Sequence, residues 1–188
     1  MMLDSIDDEI KYCKISKYAD DNKVYGTIEN DTDLQHVQAD LDRIGQWAKR
    51  WGFDLNVDKC SVIQFGGGEP WQLYLDGRPL RNSSLERDLG VLISEDLRWD
   101  DHVRAATAKA RGTAHSLARA LVTRDAKTWS SLYRTFVRPH IEYASSAWIP
   151  HQATHLKTLG SVQRWFTRQV PGIGNMSYED REKVCGLE

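Results

Sequence analysis

The sequence predicts an α+β chain, with small antiparallel hairpins and one long helix first and an all-helical region after them. Three observations predict it. Short runs alternating apolar and polar residues, separated by turn residues, recur up to about residue 97. One apolar stripe at spacings of three and four interrupts them between residues 31 and 51. After Trp99 that helical spacing takes over, so the chain divides into residues 1–97 and 98–188.

KYCKISK (11–17) alternates as a half-buried strand should, and KVYGTI (23–28) is its hairpin partner. The turn is Ala19-Asp20-Asp21-Asn22, where Asp and Asn bond nearby backbone groups and tolerate left-handed geometry. Asn30 or Asp31 can cap the helix that follows, with acids in its first turn. Leu34, Val37, Leu41, Ile44, Trp47 and Trp51 form its stripe, both tryptophans being read as core, and Gly52 stops it.

FDLNVDKCSVIQF (53–65) reads as extended, and Gly66-Gly67-Gly68 breaks it. The three glycines lack the GxxxxGK[ST] spacing of a phosphate loop and read as a connection. WQLYLDG alternates, with Asp76-Gly77 as a hairpin signal. SLERDLGVLIS (84–94) reads as one more strand. Val103, Thr107, Ala110, Ala114, Leu117 and Leu121 mark the first helix of the second region, which Gly112 weakens by roughly 1 kcal/mol. Asp125 opens a second, carrying Trp129, Leu132, Phe136 and Val137, which Pro139 should kink or end. Leu156, Leu159, Val162 and Phe166 mark a third, closed by Pro171-Gly172.

With 188 residues, 40% hydrophobic and 28% charged, the composition is that of an ordinary folded chain. Cys13, Cys60 and Cys185 form no CxxC pair, so neither a zinc site nor a disulfide framework is expected, and a reducing, intracellular setting is. The acidic opening is no signal peptide, and no run approaches the ~20 apolar residues of a membrane span, so the expected chain is soluble or peripheral. Charge is uneven. Residues 1–97 carry 11 Lys and Arg against 19 Asp and Glu, a net of −8, whereas residues 98–170 carry 12 against 4, a net of +8. Such asymmetry fits a basic surface for a polyanion, or a helical region with Arg-rich solvated faces.

Two adjacent carboxylates at a hairpin tip leave two readings open, a solvated turn or a cation site. Mg²⁺ takes hard oxygen ligands, commonly one or two carboxylates with water and substrate phosphates. Lys59 in a loop reads first as a solvated lysine, and His140 beside Pro139 has no partner cluster in the sequence.

The ordered set of segments narrows the choice. Tyr18-Ala19-Asp20-Asp21 resembles the [Y/F]xDD signature of reverse transcriptases, and KISKYADDNKVYG is similar to the palm hairpin of non-LTR (LINE-type) retrotransposon polymerases. A helix ending in Gln46-Trp47-Ala48 follows. Leu55-Asn56-Val57-Asp58-Lys59-Cys60 then resembles that family's LN..KC element, and Glu86-Arg87-Asp88-Leu89-Gly90-Val91 its KDLGV strand. YRTFVRPHIEY (133–143) and Val162-Gln163-Arg164 are similar to its helical region. The resemblance covers nearly the whole chain.

It implies a partial polymerase palm over 1–97 and a thumb over 98–188. Asp20 would be the principal Mg²⁺ ligand and Asp21 a weaker one. Tyr18 and Ala19 would pack beside the primer end. Asn56 and Lys59 would lie by the incoming deoxynucleoside triphosphate, with Lys59 a candidate proton donor to pyrophosphate. Leu89 and Gly90 would belong to the hairpin gripping the primer. Arg104, Lys109 and Arg111 would hold primer–template phosphates.

The family also needs a second metal-binding aspartate on an upstream strand, together with fingers. Asp4, Asp7 and Asp8 lie in no strand pattern that could supply it. The expectation is a palm-and-thumb piece of a reverse transcriptase, nuclear if it behaves like the parent element, with Mg²⁺ weakly fixed and no primer extension alone. The rival expectations are a non-catalytic nucleic-acid-binding remnant and an inert product that self-associates through bare palm surface.

Overall fold

The computed structural model describes residues 4–148 and 152–187. They form small two-stranded sheets and helices in two compact units, Met1–Ser84 and Leu85–Glu188. The boundary read from the sequence lay near residue 97; the segment 85–94 belongs to the second unit.

In the first unit, strand β1 (Lys14–Tyr18) pairs antiparallel with β2 (Asp21–Tyr25), Tyr18 facing Asp21. The turn is therefore two residues, Ala19 and Asp20, and Asp21 already belongs to a strand. The four-residue turn expected over Ala19–Asn22 is tightened because two-residue loops match the twist of paired strands. Paired residues share a face. Ile15 and Val24 pack towards the core, while Tyr18, Asp21 and Tyr25 occupy the exposed face.

Helix α1 (Asp31–Trp51) has the expected ends: Asn30 Oδ1 accepts the Asp33 N–H at 3.1 Å, and Gly52 closes it at φ 71°. Ile44, Trp47 and Ala48 are buried, but Trp51 is 50% exposed. Phe53, itself 43% exposed, packs on the helix end beside it. The Phe53 N–H donates to the Ala48 carbonyl at 2.8 Å and the ring stacks on Trp47 at 5.6 Å.

Helix α1 also holds the first hairpin. Asp40, wholly buried, accepts the backbone N–H groups of Lys11, Tyr12 and Cys13 at 3.0, 2.9 and 2.7 Å, and pairs with Arg43. One turn before Asp40, the His36 ring stacks on Tyr12 at 3.9 Å; one turn after, the Arg43 guanidinium lies 5.3 Å from the Tyr12 ring centre. Burial pushes the Asp40 carboxyl up, and the three N–H donors outweigh it, holding the group below the ordinary aspartate range. The Cys13 thiol beside it is pushed up to about 11, by burial first and the Asp40 charge second.

Residues 53–65 are less extended than expected. Val57–Lys59 form a 3-10 turn, and only β3 (Ser61–Val62) is a strand, pairing parallel with β6 (Arg81–Asn82). Burying Val57 while its neighbours stay in water favours the tight turn over alternation. β4 (Tyr74–Leu75) and β5 (Arg78–Pro79) form the hairpin signalled by Asp76-Gly77, both at positive φ. Gln38 of α1 serves this hairpin as a strand would, donating to the Tyr74 carbonyl and accepting its N–H, both at 2.9 Å.

In the second unit, 84–94 is a hairpin rather than one strand. β7 (Leu85–Asp88) and β8 (Val91–Ser94) pair antiparallel across a Leu89-Gly90 turn. Leucine is a poor signal for such a turn, which hid it in the sequence. Then come α2 (Asp100–Ala120), α3 (Ala126–Leu132), α4 (Arg138–Glu142), α5 (Ser145–Trp148), α6 (Ala153–Thr167) and α7 (Tyr178–Cys185). Pro139 does not end the second helix. A π turn over Tyr133–Val137, the kind of bulge found at helix kinks, joins α3 to α4 directly before the proline. Ala110 and Ala114 of α2 pack in the core with Trp129 and Phe166, whose rings stack at 4.4 Å. Among the described residues no helix is long and apolar enough to cross a membrane.

Replacing Asp40 by Ala leaves three part-buried N–H groups and Arg43 without their acceptor, and should cost about 3 kcal/mol in urea unfolding at pH 7. A carboxyl held low stabilises above the ordinary aspartate pKa of about 4, and its contribution fades as pH falls through the native value. The gap between wild type and Asp40→Ala should therefore close below about pH 4.

Candidate functional site

The first candidate site is the β1–β2 tip. Ala19 sits at φ 54°, a conformation costing a non-glycine residue roughly 1–2 kcal/mol. It presents Asp20 at the apex and Asp21 as the first strand residue, both exposed. Tyr18, 65% exposed, shares the outer face with Asp21, its direct cross-strand partner. The Asn22 amide donates to the Asp20 carbonyl at 3.4 Å, and Lys17 pairs with Asp7 at 2.6 Å lower on the hairpin. The turn sets the backbone from which the two exposed carboxylates project.

The donor chemistry fits a hard divalent cation, which uses one or two carboxylates. The pair is not a closed cage. Among the described residues, no group of three or more His, Cys, Asp or Glu side chains could hold a metal ion.

The second candidate is the 3-10 turn at Lys59. The Asn56 carbonyl accepts the Lys59 N–H at 3.0 Å and lies 3.4 Å from the Cys60 thiol, so Asn56 organises the turn through its backbone. The side chains of Asn56 and Lys59 are exposed, and Asp58 pairs with Arg78 across to β5.

The third lies on the second unit. Both turn residues of the β7–β8 hairpin have positive φ, Leu89 at 45° and Gly90 at 88°. The Tyr143 hydroxyl donates to the Leu89 carbonyl at 2.8 Å. Behind the turn, the Leu92 N–H donates to His102 Nδ1 at 3.1 Å, and the His102 ring meets Trp148 edge-on at 4.5 Å. Burial first, and the Arg87 charge second, hold His102 below its ordinary pKa, which suits an imidazole accepting at Nδ1.

On α2, Arg104, Arg111, His115 and Arg119 recur at seven, four and four residues and share one exposed stripe. Arg104 also pairs with Asp101 at 3.1 Å, and Arg111 donates to Ser161 Oγ of α6 at 2.7 Å. Lys109 does not join them. It lies about 140° round the helix from Arg104, on the side where its charge helps, after burial, to hold His140 below its ordinary pKa. The sequence reading missed His115 and Arg119, although their spacing from Arg104 and Arg111 was there to be counted.

Comparison with known proteins finds relatives among RNA-directed DNA polymerases of mobile elements. The chain is similar to a probable RNA-directed DNA polymerase from transposon X-element of Drosophila melanogaster, 23% identical over 135 residues, or 69% of this chain and 15% of that one. It is similar to RNA-directed DNA polymerases from mobile element jockey, 22% identical over 164 residues in Drosophila melanogaster and 24% over 166 residues in Drosophila funebris. Each of these two matches covers 84% of this chain and 18% of the relative. The resemblance to non-LTR retrotransposon reverse transcriptases thus extends over most of the chain, which spans less than a fifth of the relatives' length. No family model matches the chain, and no solved structure matches it significantly.

Because Ala19 pays a left-handed penalty that glycine does not, Ala19→Gly should raise stability by about 0.5–1 kcal/mol. Chemical denaturation of the two proteins side by side measures it; a loss of stability would show that Ala19 is unstrained.

Proposed function

We propose that this chain is a nucleic-acid-handling portion of a retrotransposon reverse transcriptase, its first unit acting within a polymerase palm and its second unit largely as a thumb. The observation that carries the reading is the exposed Tyr18–Asp21 tip, with two adjacent carboxylates on a strained two-residue turn. On this reading Asp20 and Asp21 hold Mg²⁺, Asp20 at the apex as the principal ligand. The ion supplies charge stabilisation at the transferring phosphoryl group when bound. Tyr18 and Ala19 flank the primer end. Lys59 stands beside the incoming deoxynucleoside triphosphate on the turn shaped by Asn56, available to give a proton to pyrophosphate. Leu89 and Gly90 meet the primer strand, and Arg104 and Arg111 meet backbone phosphates. Lys109 contributes through net charge rather than from the same stripe. A nuclear location follows from the same reading, and exposed Trp51, Phe53 and Phe65 supply apolar surface for self-association.

Among the described residues one hairpin brings two carboxylates to the metal, which leaves most of the electrostatic stabilisation that the transfer needs to be supplied from elsewhere. On this reading the chain by itself binds nucleic acid, and the arginine stripe supports that binding.

Two measurements follow. The purified chain, given Mg²⁺, deoxynucleoside triphosphates and a primed RNA template, should show no extension; extension that Asp20→Ala abolishes would overturn the catalytic half of the reading. Duplex affinity should fall steeply with salt, and Arg104→Gln or Arg111→Gln should each lower the slope of log affinity against log salt by about one. Salt-insensitive binding, or none at low salt, would remove the nucleic-acid reading altogether.

A further inference from the structure

We propose that Tyr143 is a positioning residue that latches the Leu89–Gly90 tip of the β7–β8 hairpin into the shape presented to a nucleic-acid strand. The proposal rests on the reading of that tip as a primer-strand contact.

The latch is visible at both ends. At the front, the Tyr143 hydroxyl donates to the Leu89 carbonyl at 2.8 Å. The Tyr143 ring lies so close to Gly90 that a Cβ there would come within 3.1 Å of Cε1. A side chain at Gly90 would have to push the ring aside, and Gly90 already needs its freedom at φ 88°. At the back, the Trp148 indole N–H donates to the Tyr143 carbonyl at 2.7 Å, and Trp148 is 1% exposed. Tyr143 itself is 56% exposed, so burial of its own ring does not explain its place.

Backbone strain falls on either side of the same hydrogen bond. Leu89 accepts it at φ 45°, and Ala144, next to the donor residue, has φ 52°. Both are non-glycine residues in the left-handed region, an arrangement that persists only where its surroundings enforce it. A leucine at such a turn is 42% exposed and contributes little to the core. Its presence at the tip is explained by a contact made outwards, and the latch by the need to hold that contact still.

The test uses the full chain and Tyr143→Phe, which keeps the ring and removes only the donor. Two quantities are measured: amide hydrogen exchange residue by residue, and affinity for a DNA primer annealed to an RNA template at several salt concentrations. Exchange at Gly90 and Val91 should accelerate about fivefold, with Ala110 and Ala114 in the core unchanged. Affinity should fall about fivefold with an unaltered salt slope, because geometry and not charge has been lost. Unchanged exchange at the tip overturns the latch. Faster exchange with wild-type affinity overturns the positioning role while the nucleic-acid reading stands. No binding by the wild type overturns that reading and the proposal together, whereas the exchange data still decide whether the latch exists.

Discussion

The buried carboxylate of Asp40 is the interaction on which the first unit depends. A lone two-stranded hairpin is marginal in water, because its edges are unpaired and one face has nothing to cover it. The β1–β2 hairpin has only Ile15 and Val24 to offer a core. Three consecutive N–H groups leading into β1 converge instead on one side chain of α1, so the strand enters the hairpin from a fixed point. The charge on Asp40 is affordable in the interior because N–H donors and Arg43 surround it. Everything exposed at the tip, Tyr18, Asp20 and Asp21 included, inherits its position from that point.

The same solution recurs. Each hairpin in the described residues is only two strands wide, and in the other two a polar side chain from a helix bonds a strand backbone directly. Gln38 does so for β4–β5, giving and taking one hydrogen bond at Tyr74 as a neighbouring strand would. His102 accepts the Leu92 N–H behind β8. Such contacts are directional where apolar packing is not, so they fix the register of short strands that bury little surface. A fold built this way keeps its hairpin tips free for other partners while the bases of the hairpins are held.

Much of this was legible in the sequence where local chemistry decides it. The caps of α1, the Asp76-Gly77 turn, the N-cap Asp125 and the stripe of α2 all follow from spacing and capping residues alone. What stayed hidden depends on distant partners. Asp40 reads as one more polar residue on a helix, because its donors lie 27 to 29 residues away. Leu89-Gly90 reads as the middle of a strand, because the phenol that stabilises its turn is 54 residues on. Among candidate site residues, the paired acids and the spacing of Arg104 and Arg111 were legible; the turn of Lys109 away from them required counting helix angles.

Pro139 shows how a residue expected to break a helix can instead aim a side chain. The π turn before it bonds the Arg138 N–H to the Tyr133 carbonyl, so the path continues through the position where proline has no donor. The Pro139 carbonyl then accepts the Tyr143 N–H at 3.0 Å and closes α4 there. With its carbonyl taken by Trp148 and its hydroxyl by Leu89, every polar group of Tyr143 is committed. A residue whose backbone is held at two points and whose hydroxyl is held at a third has lost freedom before any ligand arrives, so the order of the tip costs a bound strand less extra entropy. The proline therefore acts on the hairpin tip through Tyr143, at a distance and without touching it in sequence.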